Sequence, residues 1–174
     1  DNPNGGAPQA DVLAMRFDGR AWGREINVTM SPEDDWEPYA LYVASSVLDG
    51  GESARLSRKL VRGSGIAASA GASYGAYGRL PGMFVLDGTP TDGNTVADVE
   101  KALRDTVARL RDELIDPAEL ERIVTQAVAG KVYEADSLFY QAMEIGMLET
   151  IGLDWRLIKT EIDALRAVTP EQVR

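Results

Sequence analysis

The sequence contains no histidine and no cysteine among its 174 residues. Imidazole and thiolate are the usual ligands of structural and catalytic zinc, and they supply the base or the nucleophile of Ser-His-Asp and Cys-His systems. These residues therefore cannot build such sites by themselves. The lack of cysteine leaves the compartment open, because it fits a reducing cytosol as well as an exported protein without disulfides.

Basic side chains are outnumbered, with 18 Lys and Arg against 28 Asp and Glu, which gives a formal net charge of −10 at pH 7. Proteins that bind a nucleic-acid backbone or an anionic membrane need clustered positive charge. The longest segment without a charged residue, 63–78, is mostly Gly, Ala and Ser and does not match a membrane-spanning helix. We therefore expect neither a nucleic-acid partner nor a membrane partner.

Length and composition predict one folded domain. The 174 residues are 44% hydrophobic and 26% charged, which is typical of a globular domain of this size. Residues 1–10 are rich in Pro, Gly and Asn, which predicts a flexible lead-in followed by a single domain over 11–174. Thr169, Pro170 and Gln172 form a helix start with a capping box just before the last residue, so we expect the chain to be a fragment of a longer one.

The spacing of apolar residues predicts strands first and helices later. Alternation predicts strands at 12–17, 24–30, 65–77 and 83–86, the last two joined by a turn. Helical spacing predicts a helix from Ser31 to Asp49, a short one after it, and four more from Val96 onward. Capping signals place the start of two of these at Asp116-Pro117 and at Asp136-Ser137. The residues predicted to face inward are Trp36, Tyr39, Ala40, Val43, Val47, Leu56, Leu60, Val61, Val96, Val99, Leu103, Val107, Leu110, Leu114, Leu120, Ile123, Val124, Val128, Leu138, Ala142, Ile145, Leu148, Trp155, Ile158, Ile162 and Leu165. This order predicts a two-layer α+β fold, with a mainly antiparallel sheet backed by helices.

Three short motifs match functional signatures but stand in the wrong context. Residues 71–75 read G-x-S-x-G, yet a nucleophile elbow needs a strand-to-helix turn and a histidine base. Residues 63–68 read G-x-G-x-x-A after a helix and before a strand, the reverse of a dinucleotide-binding turn. The acids at 33–35 lack the spacing of a calcium loop and suit the first turn of a helix. We interpret all three as structural.

A longer stretch is more informative. Residues 48–61, L-D-G-G-E-S-A-R-L-S-R-K-L-V, resemble the L-G-G-G-x-S-S-R-L-x-x-x-L-R segment of the pitrilysin/insulinase family of zinc metallopeptidases. Similar stretches follow in the family's order: G-I-A-A-S-A at 65–70, P-G-M-F at 81–84, D-P-A-E-L-E-R at 116–122, G-L-D-W at 152–155 and A-V-T-P-E-Q-V at 167–173. The resemblance spans 24–174 and implies the mitochondrial-processing-peptidase-like metallohydrolase fold, in which homologous α+β halves are each a sheet backed by helices.

The family's catalytic half carries H-x-x-E-H, in which the histidines and a downstream glutamate hold zinc and the motif's glutamate activates water. No such motif occurs in this sequence. The resemblance therefore implies the carboxy-terminal, non-catalytic half of a zinc metalloendopeptidase, which encloses the peptide substrate opposite a homologous zinc-binding half in the same chain or a partner subunit. It implies no catalytic or metal-binding residue here, no cofactor in this chain, and no peptidase activity of the chain alone.

The same resemblance marks two positions at which many members carry an arginine and, seven residues on, a tyrosine that hold the substrate peptide. They fall on Val61 and Ala68, neither of which has a side-chain hydrogen-bond donor. Arg62, Tyr74 and Tyr77 lie nearby, but the resemblance transfers no role to them. We therefore assign no substrate-binding residue.

Two alternatives remain open. Some relatives have lost catalysis and serve as assembly subunits, so the chain fits a catalytically dead structural subunit of the same fold. A hydrolase that works alone through a pair of its 28 carboxylates is a third reading, although no pair stands out. The compartment is open between periplasm and cytoplasm, with the periplasm preferred.

Overall fold

The computed structural model describes residues 12–15, 21–24, 36–78 and 83–174. Strands β1 (Val12–Met15) and β2 (Ala21–Arg24) pair antiparallel, and so do β3 (Ala67–Tyr74) and β4 (Phe84–Pro90). The α-helices of these ranges are α1 (Glu37–Asp49), α2 (Val96–Asp112), α3 (Pro117–Ala135), α4 (Leu138–Ile151), α5 (Leu157–Arg166) and α6 (Pro170–Val173). A π-helical segment, Ser57–Val61, lies between α1 and β3.

Local sequence signals set most of the helix ends. Asp116 caps α3 by accepting hydrogen bonds from the backbone amides of Ala118 and Glu119, at 2.8 and 3.3 Å. Ser137 caps α4, and Thr169 caps α6 through a capping box. The N-terminal signals predicted from the sequence at these three helices are therefore confirmed.

The core lies where the helices cover the β3–β4 hairpin. Helix α1 packs on β3, α2 packs on β4, and α1 also contacts α3, α5 and α6. The most deeply buried large side chains are Val43, Val47, Leu48, Leu56, Ile115, Leu148 and Leu165. This arrangement of antiparallel strands and covering helices confirms the predicted α+β class.

The strands differ from their predicted bounds. The strand predicted over 65–77 is shorter and runs from Ala67 to Tyr74, because Gly65 turns the chain at a φ of +65°. The strand predicted over 83–86 extends to Pro90. Of the strand predicted over 12–17, the structure describes Val12–Met15. Of the strand predicted over 24–30, it describes only Arg24, the last residue of β2. Residues 25–35, which include the predicted start of the first helix and the acids at 33–35, lie outside the described residues. The lead-in at 1–10 also lies outside them.

Most of the side chains predicted to face inward are buried or half-buried, but five large ones are exposed. Trp36 is 50% exposed as the N-cap of α1, and Val96 and Leu114 flank α2 with about half their surface free. Leu138, at the first position of α4, is 82% exposed, and Ala142 and Ile145 also face outward. Only Leu148 of the four residues predicted for α4 is buried.

Candidate functional site

The two positions marked by the resemblance lie at irregular points of the backbone. Val61 is the last residue of the π-helical segment and is half-buried. Ala68 is exposed and forms a β-bulge, since the β3–β4 register shifts between Ala67 and Ser69. π-Helical turns and bulges are frequent beside functional sites, where they redirect a side chain. The backbone is thus irregular at both positions, whereas the valine and alanine side chains that stand there offer no hydrogen-bond donor.

A buried ion pair fixes the segment that leads to these positions. The Arg55 guanidinium donates from Nη2 to Glu119 Oε2 at 2.8 Å and from Nε to Glu119 Oε1 at 3.3 Å. Arg122, one turn further along α3, donates to Ser53 Oγ at 3.3 Å. Bidentate arginine–carboxylate pairs are strong and directional. The stretches at 48–61 and 116–122, which the sequence links to one family separately, thus meet in space.

The outer face of the β3–β4 hairpin carries mostly small and polar residues, together with the exposed apolar Val85 opposite Ser73. Ser69, Ser73 and Thr89 are exposed on it, and Asp87 is its charged residue. Asp87 lies opposite Gly71, where an added Cβ would stand 2.6 Å from its Oδ1. The serine in G-x-S-x-G is Ser73, which lies within the strand, so the nucleophile-elbow reading fails on geometry as well.

A buried polar cluster joins four helices and the segment after β3. Lys131 Nζ on α3 lies 3.1 Å from Glu161 on α5, 3.2 Å from Glu144 on α4 and 3.5 Å from Glu134. Tyr77, just after β3, hydrogen-bonds with both Glu161 and Tyr39 of α1. We call these six residues the Lys131 cluster. Sequence reasoning missed it, because its members are spread from residue 39 to residue 161 and share no motif.

Burial and charge act in opposite directions inside the Lys131 cluster. Burial alone would lower the pKa of Lys131, but the charges of Glu161 and Glu144 outweigh it and raise that pKa. Burial raises the pKa of Glu161, although Lys131 and Tyr77 offset part of the effect. Burial and then the Glu161 charge raise the pKa of Tyr77 strongly. At neutral pH this arrangement holds a charged lysine and a neutral phenol, which suits a structural tie between elements.

An apolar groove of about 390 Å³ runs between α3 and the start of α6. Leu120, Val124, Val128 and Val168 line it, with Arg166 among its polar residues. Because most of its lining is apolar, the groove offers packing surface.

The residues present do not fit a zinc ion. The sequence supplies no imidazole or thiolate, and within the described ranges no three carboxylates stand close enough together to hold a metal. The described helices include none with the length and apolar character of a membrane span.

Comparison with models of known protein families finds a match to one family. The model of the peptidase M16 inactive domain matches residues 5–127. A comparison with curated protein sequences gives no match.

Several solved structures share the fold. A protease from Helicobacter pylori superposes with a TM-score of 0.73 at 16% identity, over 82% of this chain and 34% of that one. The inactive peptidase domain of a Bordetella parapertussis protein described as a zinc protease superposes with a TM-score of 0.72 at 19% identity, over 83% of this chain and 75% of that one. The peptidase M16 inactive domain from Pseudomonas fluorescens superposes with a TM-score of 0.70 at 18% identity, over 87% of this chain and 34% of that one. The chain thus spans about a third of the length of the first and third of these.

Proposed function

This chain belongs to the peptidase M16 family as an inactive domain, and we propose that it is the non-catalytic half of a pitrilysin-like zinc metalloendopeptidase. It covers an extended peptide opposite a homologous half that carries the zinc and the general base. Residues 11–174 act as a single domain in this proposal.

The observation that carries the proposal is the match of residues 5–127 to the inactive-domain model in a chain without histidine or cysteine. A domain that lacks the ligands of the family's metal contributes by shape and by exclusion of water. Closing an active site removes bulk water and strengthens the electrostatic interactions inside it.

The outer face of the β3–β4 hairpin supports this role. The small side chains of Ser69 and Ser73 leave room for a peptide backbone, while the Asp87 carboxylate lies over Gly71 and, with Thr89, adds polar groups. An extended segment satisfies its own amides by pairing with strands or polar side chains, so a small, polar wall suits it better than an apolar one.

The test uses a zinc-bearing H-x-x-E-H protein encoded in frame with this chain or beside it. The two are purified, mixed at rising ratios and assayed with a fluorogenic peptide. The chain alone should neither cleave the peptide nor bind zinc stoichiometrically. Adding it should raise kcat/KM of the zinc-bearing half by about tenfold or more, because positioning effects of this kind are worth orders of magnitude, with saturation at one to one.

Two results would contradict the proposal. One is stoichiometric zinc in the isolated chain at nanomolar affinity. The other is an excess of the chain that neither forms a complex with the zinc-bearing half nor changes its kcat/KM.

A structural subunit is the second candidate, and the side chains at Val61 and Ala68 favour it, since neither offers a hydrogen-bond donor to a substrate. In that case the complex forms while kcat/KM stays unchanged. The same titration therefore separates the two functions, with binding as one readout and peptide cleavage as the other.

A further inference from the structure

Helix α4 is apolar on nearly all sides. Its sequence, L-F-Y-Q-A-M-E-I-G-M-L-E-T-I, contains two charged residues, Glu144 and Glu149. A helix of this composition normally lies inside a protein, because amphipathic surface helices keep one polar face. Of its residues, only Leu148 is buried. The composition of α4 thus indicates a partner on its outer side.

The outer side carries a continuous apolar stripe. Phe139, Met143 and Met147 follow at intervals of four residues and are 72%, 51% and 41% exposed. Tyr140 flanks them and meets Phe139 edge to face, with ring centroids 5.8 Å apart. Residues four apart lie above one another on a helix, so these side chains form one surface. We call this surface, together with its small residues described next, the α4 face.

Small residues run beside that stripe. Ala142, Gly146 and Thr150 also lie four residues apart and are exposed. The Thr150 hydroxyl donates to the Gly146 carbonyl oxygen at 2.6 Å, so its polar group is already satisfied within the helix. A Cβ added at Gly146 would meet no atom within 4 Å. Glycine inside a helix costs about 0.5–1 kcal/mol relative to alanine, and no residue in the described part of the chain comes close enough to Gly146 to require it. Unlike the exposed Gly130 of α3, Gly146 lies beside the apolar stripe of α4, where the missing side chain leaves room for the backbone of a partner helix.

The exposed area fits part of an interdomain contact. At about 200 Å² per aromatic side chain, Phe139 and Tyr140 alone expose roughly 240 Å². The two methionines bring the α4 face into the range of the largest apolar patches on monomers, roughly 300–600 Å², which are often functional. A standard interface takes roughly 800 Å² from each partner, so the α4 face suits one region of a larger contact rather than a complete small dimer.

Charge argues against a second copy of this chain. The charged residues of α4 and of the last turn of α3 with its cap are all acidic, and because Glu134 and Glu144 are paired with Lys131, Asp136 and Glu149 are the acids left for such a contact. Two copies would bring these acids together on chains that each carry a net charge of −10. A partner with an apolar surface and a basic rim is favoured instead. In relatives such as the Helicobacter pylori protease, about two thirds of the chain lies outside the part that matches this fold.

We infer that the α4 face is the surface through which this domain docks onto the zinc-bearing half, with a partner helix lying over Ala142, Gly146 and Thr150. The inference rests on the proposed function, because it identifies the contact between the two halves. A leucine at Gly146 fills the space that the partner helix needs, while the free domain has room for it.

The experiment compares Gly146→Leu with Gly130→Leu. Gly130 is an exposed glycine inside α3, where an added Cβ also meets no atom within 4 Å. Leucine is a better helix former than glycine, so both variants should fold at least as well as the parent chain. Binding to the zinc-bearing half is measured by isothermal titration. Gly146→Leu should raise the Kd at least tenfold, and Gly130→Leu should leave it within twofold.

Oxidation of methionine by peroxide, read by mass spectrometry, gives a second measurement. Met143 and Met147 should oxidise readily in the free chain and become protected in the complex. Met83, 46% exposed on the hairpin side, serves as the internal reference. Protection of Met143 and Met147 beyond that of Met83 supports the inference.

The failures are distinguishable. If the parent chain does not bind the zinc-bearing half, the proposed function fails. If it binds and Gly146→Leu binds equally well, the inference about the α4 face is wrong and the proposed function stands. Self-association of the free chain that Gly146→Leu abolishes would assign the α4 face to a second copy. If Met143 and Met147 oxidise in the free chain only after deletion of residues 1–10, the α4 face would be assigned to the chain's own lead-in. Either result overturns the inference.

Discussion

Replacing Lys131 by methionine should destabilise the domain by about 3 kcal/mol at pH 7. The substitution keeps most of the aliphatic volume and removes the cation that faces Glu134, Glu144 and Glu161. Breaking a buried ion pair from one side costs about 3–5 kcal/mol, and the lower end applies because the Lys131 side chain is 20% exposed. With a urea m-value of about 2 kcal/mol/M, the unfolding midpoint should fall by about 1.5 M.

The loss should depend on pH in a defined direction. Burial raises the pKa of Glu161 in the folded state, and Lys131 offsets part of that rise. Without Lys131, the pKa of Glu161 in the folded protein lies further above the pKa of glutamates in the unfolded chain, which is about 4.3. A group with a raised folded pKa contributes stability below its unfolded pKa and loses it as the pH rises through the folded one. The penalty of Lys131→Met should therefore be small at pH 4 and grow toward pH 7.

Two further variants control this measurement. Lys101→Met removes an exposed pair with Asp105, whose side chains are 78% and 54% exposed, so it should change the free energy of unfolding by less than about 0.5 kcal/mol. Glu161→Gln in the Lys131→Met background removes the stranded charge and should recover much of the loss. A Lys131→Met variant within about 1 kcal/mol of the parent at pH 7, or with a pH-independent loss, would refute this account of the cluster.

Two other substitutions test the segment on which the resemblance rests. Arg55→Met leaves Glu119 without its bidentate partner in a site where Arg55 is 8% exposed. We expect the free energy of unfolding, measured in urea, to fall by about 3 kcal/mol. A fall of less than about 1 kcal/mol would mean that the pair does not anchor this segment. Val61→Arg combined with Ala68→Tyr restores donors at the two irregular positions, and in the complex with the zinc-bearing half it should raise kcat/KM about tenfold or more. An unchanged kcat/KM with an unchanged Kd of the complex would place these positions away from the substrate.

Local signals in the sequence predicted the helix starts well. Asp116 with Pro117 and Thr169 with Gln172 act within three or four residues, and the capping hydrogen bonds they form need no tertiary contact. The strand ends were predicted less accurately. Pro90 closes β4 beyond its predicted end, because pairing with Ala67 rather than local preference decides how far the strand runs.

Helix α4 shows where periodicity stops being informative. The spacing of Leu138, Ala142, Ile145 and Leu148 predicted an inward stripe, yet only Leu148 is buried. When apolar residues occur on every side of a helix, the spacing fits several faces equally well, and contacts with other elements choose among them. The salt bridge from Lys131 to Glu144 orients α4 in the fold, and no sequence pattern announces a contact of this kind.

The irregular backbone at Val61 and Ala68 bears on how these two positions could contribute to the function of the domain. A π-helical turn and a bulge each forgo regular hydrogen bonding, so a domain that needs neither gains stability by losing them. Here both are present, and the buried Arg55–Glu119 pair holds the approach to the first of them, while the donors that would use them are absent. We expect the backbone path at these two positions, rather than a side chain on it, to matter for the contact with the zinc-bearing half. On this reasoning, straightening the bulge by deleting Ala68 should weaken the assembled complex more than any side-chain change at that position.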